Sequence, residues 1–359
     1  MTAGARARDL GIVVGEFPPG PLNALTDVAG VRVGHVTLDR DGEMPVHTGV
    51  TVIVPRDEPW HHPLFAAPFR LNGNGEMTGL EWVRESGTLT SLIGITNTHS
   101  VGVVRDALVA DEASRRAPGE PFFALPVVAE TWDGALNDIN GFHVRPEHVH
   151  EAIAAASAGP VAEGSVGGGT GMICHGFKGG IGTASRVVPD GYTVGVLVQA
   201  NHGERERLTV NGVPVGRRLA EGLPPLPMPP GMRESDGSII VIVATDAPLL
   251  PTQCARLARR AALGIGRTGG AGENGSGDLV LCFSTANDLP GGFERGGPAT
   301  TTVSMLSNER IDPLFHATIE ATEEAILGAL LAATARTGPG GRLVPALPHD
   351  ELQRILGVR

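Results

Sequence analysis

Cysteine is scarce: Cys174, Cys254 and Cys282 are the only three in 359 residues, far apart and without a C-x-x-C spacing. That excludes a disulfide framework and a cysteine zinc ribbon, and a chain this long needs neither to support its core. The three are expected to be reduced, buried thiols. No stretch of 18 apolar residues occurs, and MTAGARARDLGIVVGEFPPG at the N-terminus lacks the apolar run of a signal peptide. These absences predict a soluble, cytoplasmic chain with no membrane partner. Positive charge is short as well: 28 Lys and Arg against 39 Asp and Glu leave a net charge of −11 without blocks of like sign. A protein that tracks phosphates needs a basic face, so nucleic acid is excluded as a partner.

Several chemical motifs are also missing. There is no H-E-x-x-H, and EHVHE (147–151) reads as a solvated helix face, so no metal is expected. GSVGGGTGM (164–172) has no G-K-[ST], and no serine sits in G-x-S-x-G. Gly264-Ile-Gly-Arg-Thr-Gly269 does match the dinucleotide fingerprint G-x-G-x-x-G. It follows a helical pattern and runs toward a strand, the reverse of the order that aims amides at a pyrophosphate, so no cofactor is expected.

What the chain has in excess is glycine, 51 residues, with no collagen-like period and a normal 41% of hydrophobic residues. Glycine here serves turns and close backbone approaches. Short apolar runs predict strands: GVTVIVP (49–55), LIGITNTH (92–99), ALPVVAET (124–131), YTVGVLVQAN (192–201), SIIVIVATD (238–246) and DLVLCFSTAN (278–287). Helical periodicity appears over 104–116, 146–158, 252–265 and 310–335. In the last, Phe315, Ile319, Ile326, Ala329, Leu330 and Ala333 share one face, Thr322 bridges the gap, and Glu323 and Glu324 read as solvated. Strands and helices lack a strict alternating rhythm, which predicts helices outside two sheets rather than a doubly wound parallel sheet. The proline-rich stretch 221–237 reads as an ordered surface crossing within one domain, 1–359.

GGAGENGSGDLVLCFSTAN (269–287) carries the chemistry: a glycine-rich segment delivers Ser276 to the start of an apolar strand. Such composition can be a plain loop ahead of a strand. It also suits an N–O acyl shift, in which the Ser276 hydroxyl attacks the Gly275 carbonyl and hydrolysis of the ester frees Ser276 with its own α-amine. A glycine before the serine tolerates the strained backbone this attack requires. The freed amine titrates near about 7.7–8 when unperturbed and can act as the base for its own hydroxyl.

The chain resembles the DmpA family of L-aminopeptidase D-Ala-esterase/amidases, which includes the β-peptidyl aminopeptidases, over nearly its whole length. The strings that carry the resemblance are PGPLNALTDVAGVRVGH (19–35), LNGNGEMTG (71–79), ITNTHSVGVVRDA (95–107), LPVVAETWDGALNDINGFHV (125–144), EGSVGGGTGMICHGFKGGIGTASR (163–186), VGVLVQANHG (194–203), GSGD (275–278) and FSTAN (283–287). The resemblance implies a four-layer α/β/β/α sandwich similar to N-terminal nucleophile hydrolases. It implies self-cleavage into 1–275 and 276–359, no cofactor, a small peptide or amino-acid amide or ester as substrate, and a homo-oligomer of cleaved pairs. It assigns Ser276 as nucleophile, Asn201 as oxyanion donor, and Glu130 as the carboxylate that holds the substrate ammonium. Trp132 stands where some relatives have tyrosine, and Thr322 with Glu324 matches a hydroxyl-x-carboxylate pair that orients the new amine. An acyltransferase of the ornithine acetyltransferase type is the alternative, but those enzymes use a threonine nucleophile.

Overall fold

The apolar runs lack a polar alternate face because their strands are buried on both sides. The computed structural model describes residues 4–358, apart from 118, 120, 121, 234, 235 and 292–297. The main strands are β1 (Arg32–Arg40), β2 (Val46–Val54), β3 (Leu64–Gly73), β4 (Thr88–Leu89), β5 (Ile93–Asn97) and β6 (Val127–Thr131) in the first half. After the short hairpin β7 (Ile173–Cys174) and β8 (Phe177–Lys178) come β9 (Gly180–Val187), β10 (Thr193–Asn201), β11 (Ser238–Thr245) and β12 (Gly277–Ser284). The helices are α1 (Leu80–Ser86), α2 (Val101–Arg115), α3 (Pro146–Ala154), α4 (Val215–Ala220), α5 (Pro251–Arg267), α6 (Asp312–Leu331) and α7 (His349–Leu356), with a last hairpin β13 (Arg336–Gly338) and β14 (Arg342–Val344).

Two sheets result, β1-β2-β5-β6 and β4-β3-β12-β11-β10-β9. Each contains one parallel pair, β5 with β6 and β11 with β12, joined across its outer face by α2 and α5 respectively. Three core layers follow. Val52, Val128, Val104 and Leu108 fill the space between the first sheet and α2 with α3. Ile93, Ile95, Ile240, Ile242 and Leu281 lie between the sheets. Val241, Val243, Val280, Leu257 and Ile326 lie between the second sheet and α5 with α6. The architecture is the four-layer α/β/β/α sandwich expected from the resemblance.

The strict alternation in β11, with Ile240 and Ile242 inward and Val241 and Val243 outward, shows why helix periodicity never arises there. Helix α6 differs from its amphipathic expectation. From Ala317 to Leu331 every residue is buried, including Glu320, Glu323 and Glu324. It is covered by α5 on one side and β9 and β10 on another, so the glutamates are not a solvated face. Among the described residues no helix is long and apolar enough to cross a membrane, and all three cysteines are free and buried.

Candidate active site

The second sheet ends in a row of register partners: Asn201 faces Ser238, Ser238 faces Gly277, and Gly277 faces Gly73. Strand β6 of the other sheet delivers Glu130, and just beyond it Trp132, to the same rim. Between them opens a cleft of about 610 Å³ lined by Glu76, Thr98, Glu130, Trp132, Ser238 and Gly275. Met232, Asp236 and Gly237 also line it, so the proline-rich crossing forms part of the cleft wall. A larger hollow of about 690 Å³ is lined by Glu58, His61, His62 and Asp288. It holds none of the groups that meet at Ser276, and its rim at Gly291 and Pro298 flanks residues outside the description, so the smaller cleft is the candidate site.

After α5 the chain must turn before it can enter β12 parallel to β11. The Ser276 N–H donates to the Glu273 carbonyl at 2.8 Å, closing a four-residue turn with Gly275 in its third position. Two asparagines from the end of β3 hold this turn. Asn74 donates its side-chain N–H to the Gly275 carbonyl at 2.8 Å and its backbone N–H to the Ser276 carbonyl at 3.2 Å. Asn72 donates to the Glu273 carbonyl at 2.9 Å and, more closely, to that of Ser276. Gly275 sits in close approach: a Cβ would lie 2.5 Å from Asp236 Oδ1, so a larger residue needs that carboxylate to move. Its φ is not among the left-handed ones, so the expected need for backbone freedom gives way to a steric one.

Ser276 is 1% exposed, and its hydroxyl donates to Asp278 Oδ1 at 2.6 Å. Successive residues of a strand point to opposite faces, so i and i+2 share one, which is how the two side chains meet. Burial pushes the Asp278 carboxyl up to about 6; the nearby Glu273 charge adds to the rise, and the Ser276 hydrogen bond opposes it.

Glu130 is buried, and each carboxylate oxygen has a partner: Oε1 accepts from the Glu76 N–H at 2.9 Å and Oε2 from the Thr98 hydroxyl. Burial raises its pKa, and those two hydrogen bonds oppose the rise. Gly75 lies between this carboxylate and the nucleophile strand. A Cβ there would sit 3.2 Å from Glu130 Oε1 and 3.0 Å from the Gly277 Cα, so even alanine needs these neighbours to give by a few tenths of an ångström.

The remaining expected residues are placed differently. Asn201 accepts from the Ile173 N–H at 2.7 Å and donates one side-chain N–H to the Trp132 carbonyl at 2.9 Å. It does not reach the Gly275 carbonyl, whose amide donor is Asn74. Thr322 and Glu324 neither line the cleft nor touch Ser276. The Thr322 hydroxyl donates to the Thr318 carbonyl at 2.7 Å, as threonines inside helices do, and its Cβ faces Gly264 of α5. Glu324 accepts from Asn23 at 2.6 Å and from Arg186 at 2.5 Å. In the uncut chain these two join α6 to itself, to the sheet and to the N-terminal segment. Among the described residues one group brings metal-type ligand atoms together: those of Cys174, His175 and His202 lie within 4.8 Å of one another. Its thiol belongs to the hydrophobic core that includes α5 and α6, the two rings pack edge to face at 5.1 Å, and all three residues are buried.

The pattern of peptidase family S58 matches residues 23–344. The chain belongs to this family. Its relatives include the β-peptidyl aminopeptidase BapA of Sphingosinicella microcystinivorans, 51% identical over 98% of this chain and 92% of that one. Among solved structures, the β-aminopeptidase of a Burkholderia species superposes with a TM-score of 0.93 at 53% identity, covering 98% of each chain. The L-aminopeptidase D-Ala-esterase/amidase of Ochrobactrum anthropi, described as a variant of the Ntn hydrolase fold, gives 0.89 at 44% identity over 98% of both chains. The S58 chain is thus an aminopeptidase of the serine-nucleophile, self-processing class. The contacts of Asn72, Asn74 and Asp278 with the turn at Ser276 are not legible in the strings LNGNG and GSGD. An asparagine among glycines reads as a turn former until β3 is known to pair with β12, about 200 positions away.

Proposed function

We propose that Ser276 is the nucleophile of this aminopeptidase, freed when the bond after Gly275 is cut, and that the substrate is a short peptide, amide or ester with a free amine. The observation that carries the reading is the scissile turn itself: a buried serine hydroxyl, its preceding carbonyl already hydrogen-bonded by Asn74, and a buried carboxylate, Glu130, one glycine away. Once free, the Ser276 α-amine takes the hydroxyl proton, Oγ attacks the substrate carbonyl, and the leaving amine departs with that proton. Water then releases the acyl group from Oγ. Asn201 has a second side-chain N–H to offer the oxyanion, and Glu130 binds the substrate ammonium, fixing the distance from amine to scissile carbonyl.

Relatives at 51% and 53% identity are named for β-peptidyl and β-amino substrates, which supports acceptance of N-terminal β-amino acids. Membership of a peptidase family favours water over an amine as acyl acceptor. The test is Ser276→Ala. It is expected to remain one chain and to lose turnover of a β-alanyl amide and an α-aminoacyl amide alike, because the same hydroxyl performs both attacks. Retained turnover of either amide would remove Ser276 from the role.

A further inference from the structure

A substrate whose amine sits at Glu130 and whose scissile carbonyl sits at Ser276 extends beyond that carbonyl as the leaving group. In a dipeptide the leaving group is an amino acid with a free carboxylate. The charged groups that line the cleft, Glu76, Glu130 and Asp236, are all acidic and repel it. A dipeptide is held at both ends only if a cation stands next to the cleft.

One does. A hollow of about 420 Å³ adjoins the cleft at Gly75, which lines both. Three charged side chains line this hollow: Arg70, Arg84 and Glu81. Arg84 is paired with Glu81 along α1, whereas Arg70 is exposed and has no hydrogen bond or ion pair among the described residues. Met77, Leu80 and Leu279, all buried, give the hollow an apolar wall.

The direction of Arg70 follows from an irregularity in β3. Arg70 is the register partner of Leu279 and Asn72 that of Asp278, so Leu71 is an extra residue between them. In a regular strand residues three apart point to opposite faces; the bulge returns Arg70 and Gly73 to one face. The Arg70 side chain accordingly runs along the strand to Gly73, where a Cβ would lie 3.0 Å from its Cδ and 3.9 Å from its Nη1. Gly73 is the partner of Gly277, the residue after the nucleophile. The guanidinium therefore lies beside the start of β12, on the face that Leu279 turns to the space between the sheets. One leaving residue spans roughly 3.3–3.6 Å of chain, so its carboxylate comes within reach of Arg70 while the substrate amine stays at Glu130.

We infer that Arg70 binds the carboxylate of the leaving group, and that the leaving group this chain favours is a free C-terminal amino acid with an apolar side chain. The inference rests on the proposed roles of Ser276 and Glu130. The two ends of a dipeptide then meet opposite charges on either side of the scissile bond, and a longer peptide carries its carboxylate past Arg70. The leaving carboxylate is present before the attack as well as during it. Its loss therefore falls on KM more than on kcat.

The test compares β-alanyl-leucine with β-alanyl-leucine amide on wild type and on Arg70→Met, each first shown on a denaturing gel to be cut. Wild type is expected to favour the acid in kcat/KM by about 3- to 10-fold, and Arg70→Met to favour the amide, because the acidic cleft then repels the acid unopposed. The change should lie in KM for the acid, and Arg70→Lys should recover part of it. For wild type, raising NaCl from about 50 to about 500 mM should bring the acid-to-amide ratio toward one, a measurement that decides the matter even where Arg70→Met fails to fold. An acid-to-amide ratio that is the same in wild type and Arg70→Met overturns the inference. So does a wild-type ratio of one or less at low salt. Turnover of both compounds by Ser276→Ala would overturn the proposed function together with this inference, whereas an inactive Ser276→Ala beside an unchanged ratio in Arg70→Met overturns this inference alone.

Discussion

Glu130 sets the clearest demand at the scale of single residues. A buried carboxylate gains most from an arriving positive charge, since burial is what raises its pKa and a cation reverses that cost. Replacing it by glutamine keeps the shape and one acceptor but removes the charge. Glu130→Gln is expected to lower kcat/KM for free-amine amides by about 10- to 100-fold, the equivalent of about 1.5–3 kcal/mol of charge-assisted hydrogen bonding. N-acetylated versions of the same amides should be poor substrates for both proteins. For wild type, kcat/KM should fall on acidification, because protonating Glu130 above the usual carboxylate range removes the ammonium partner. Equal rates on acetylated and free-amine amides would remove Glu130 from this role. Ser276 and Glu130 could be picked from the sequence because each stands in a long specific string. The contacts of Asn74 and Asp278 with the turn at Ser276 could not be read there, because they exist only once β3 lies beside β12.

At the scale of elements, α6 shows both the reach and the limit of pattern reading. Its length and its Phe315 to Leu330 face were legible in the apolar spacing. The burial of its glutamates was not, because their partner is on another element. Arg186 of β9 is fully buried and donates to Glu320 at 3.2 Å and to Glu324 at 2.5 Å. Two further N–H groups bond the Ser185 and Val14 carbonyls, and Arg8 of the N-terminal segment adds a second cation 3.4 Å from Glu324. This network ties three parts of the chain together across sequence distances no periodicity can report. The close fit of α6 on the sheet has a simpler signal, since a Cβ on Gly182 of β9 would lie 1.8 Å from the Ala325 carbonyl. Arg186→Met would leave two buried carboxylates facing an apolar side chain. It is expected to cost about 3–5 kcal/mol of folding stability, measured by urea unfolding of the uncut Ser276→Ala chain. A loss below about 1 kcal/mol would show that the network contributes little beyond packing.

Across the whole molecule, the proposed cut falls at the start of a strand in the interior of its sheet. After cleavage β12 would remain paired with β3 on one side and β11 on the other, and α6 would remain packed on α5, β9 and β10. The two pieces should therefore stay together natively and part only when the core is unfolded. The layering that guarantees this was visible in the sequence as strands and helices without a fixed rhythm. Strands β1, β3 and β9 were harder to read, being mixed with charge, proline or small residues, as in RVGHVTLDR, LFAAPFRLNG and GIGTASRV. The central claim, that Ser276 is made into an N-terminus by the chain itself, is tested most directly by the intact mass of purified wild-type protein under denaturing conditions. Two species, residues 1–275 and residues 276–359 beginning with Ser276, are expected from material that elutes natively as one assembly. A single full-length species with full aminopeptidase activity would contradict the account.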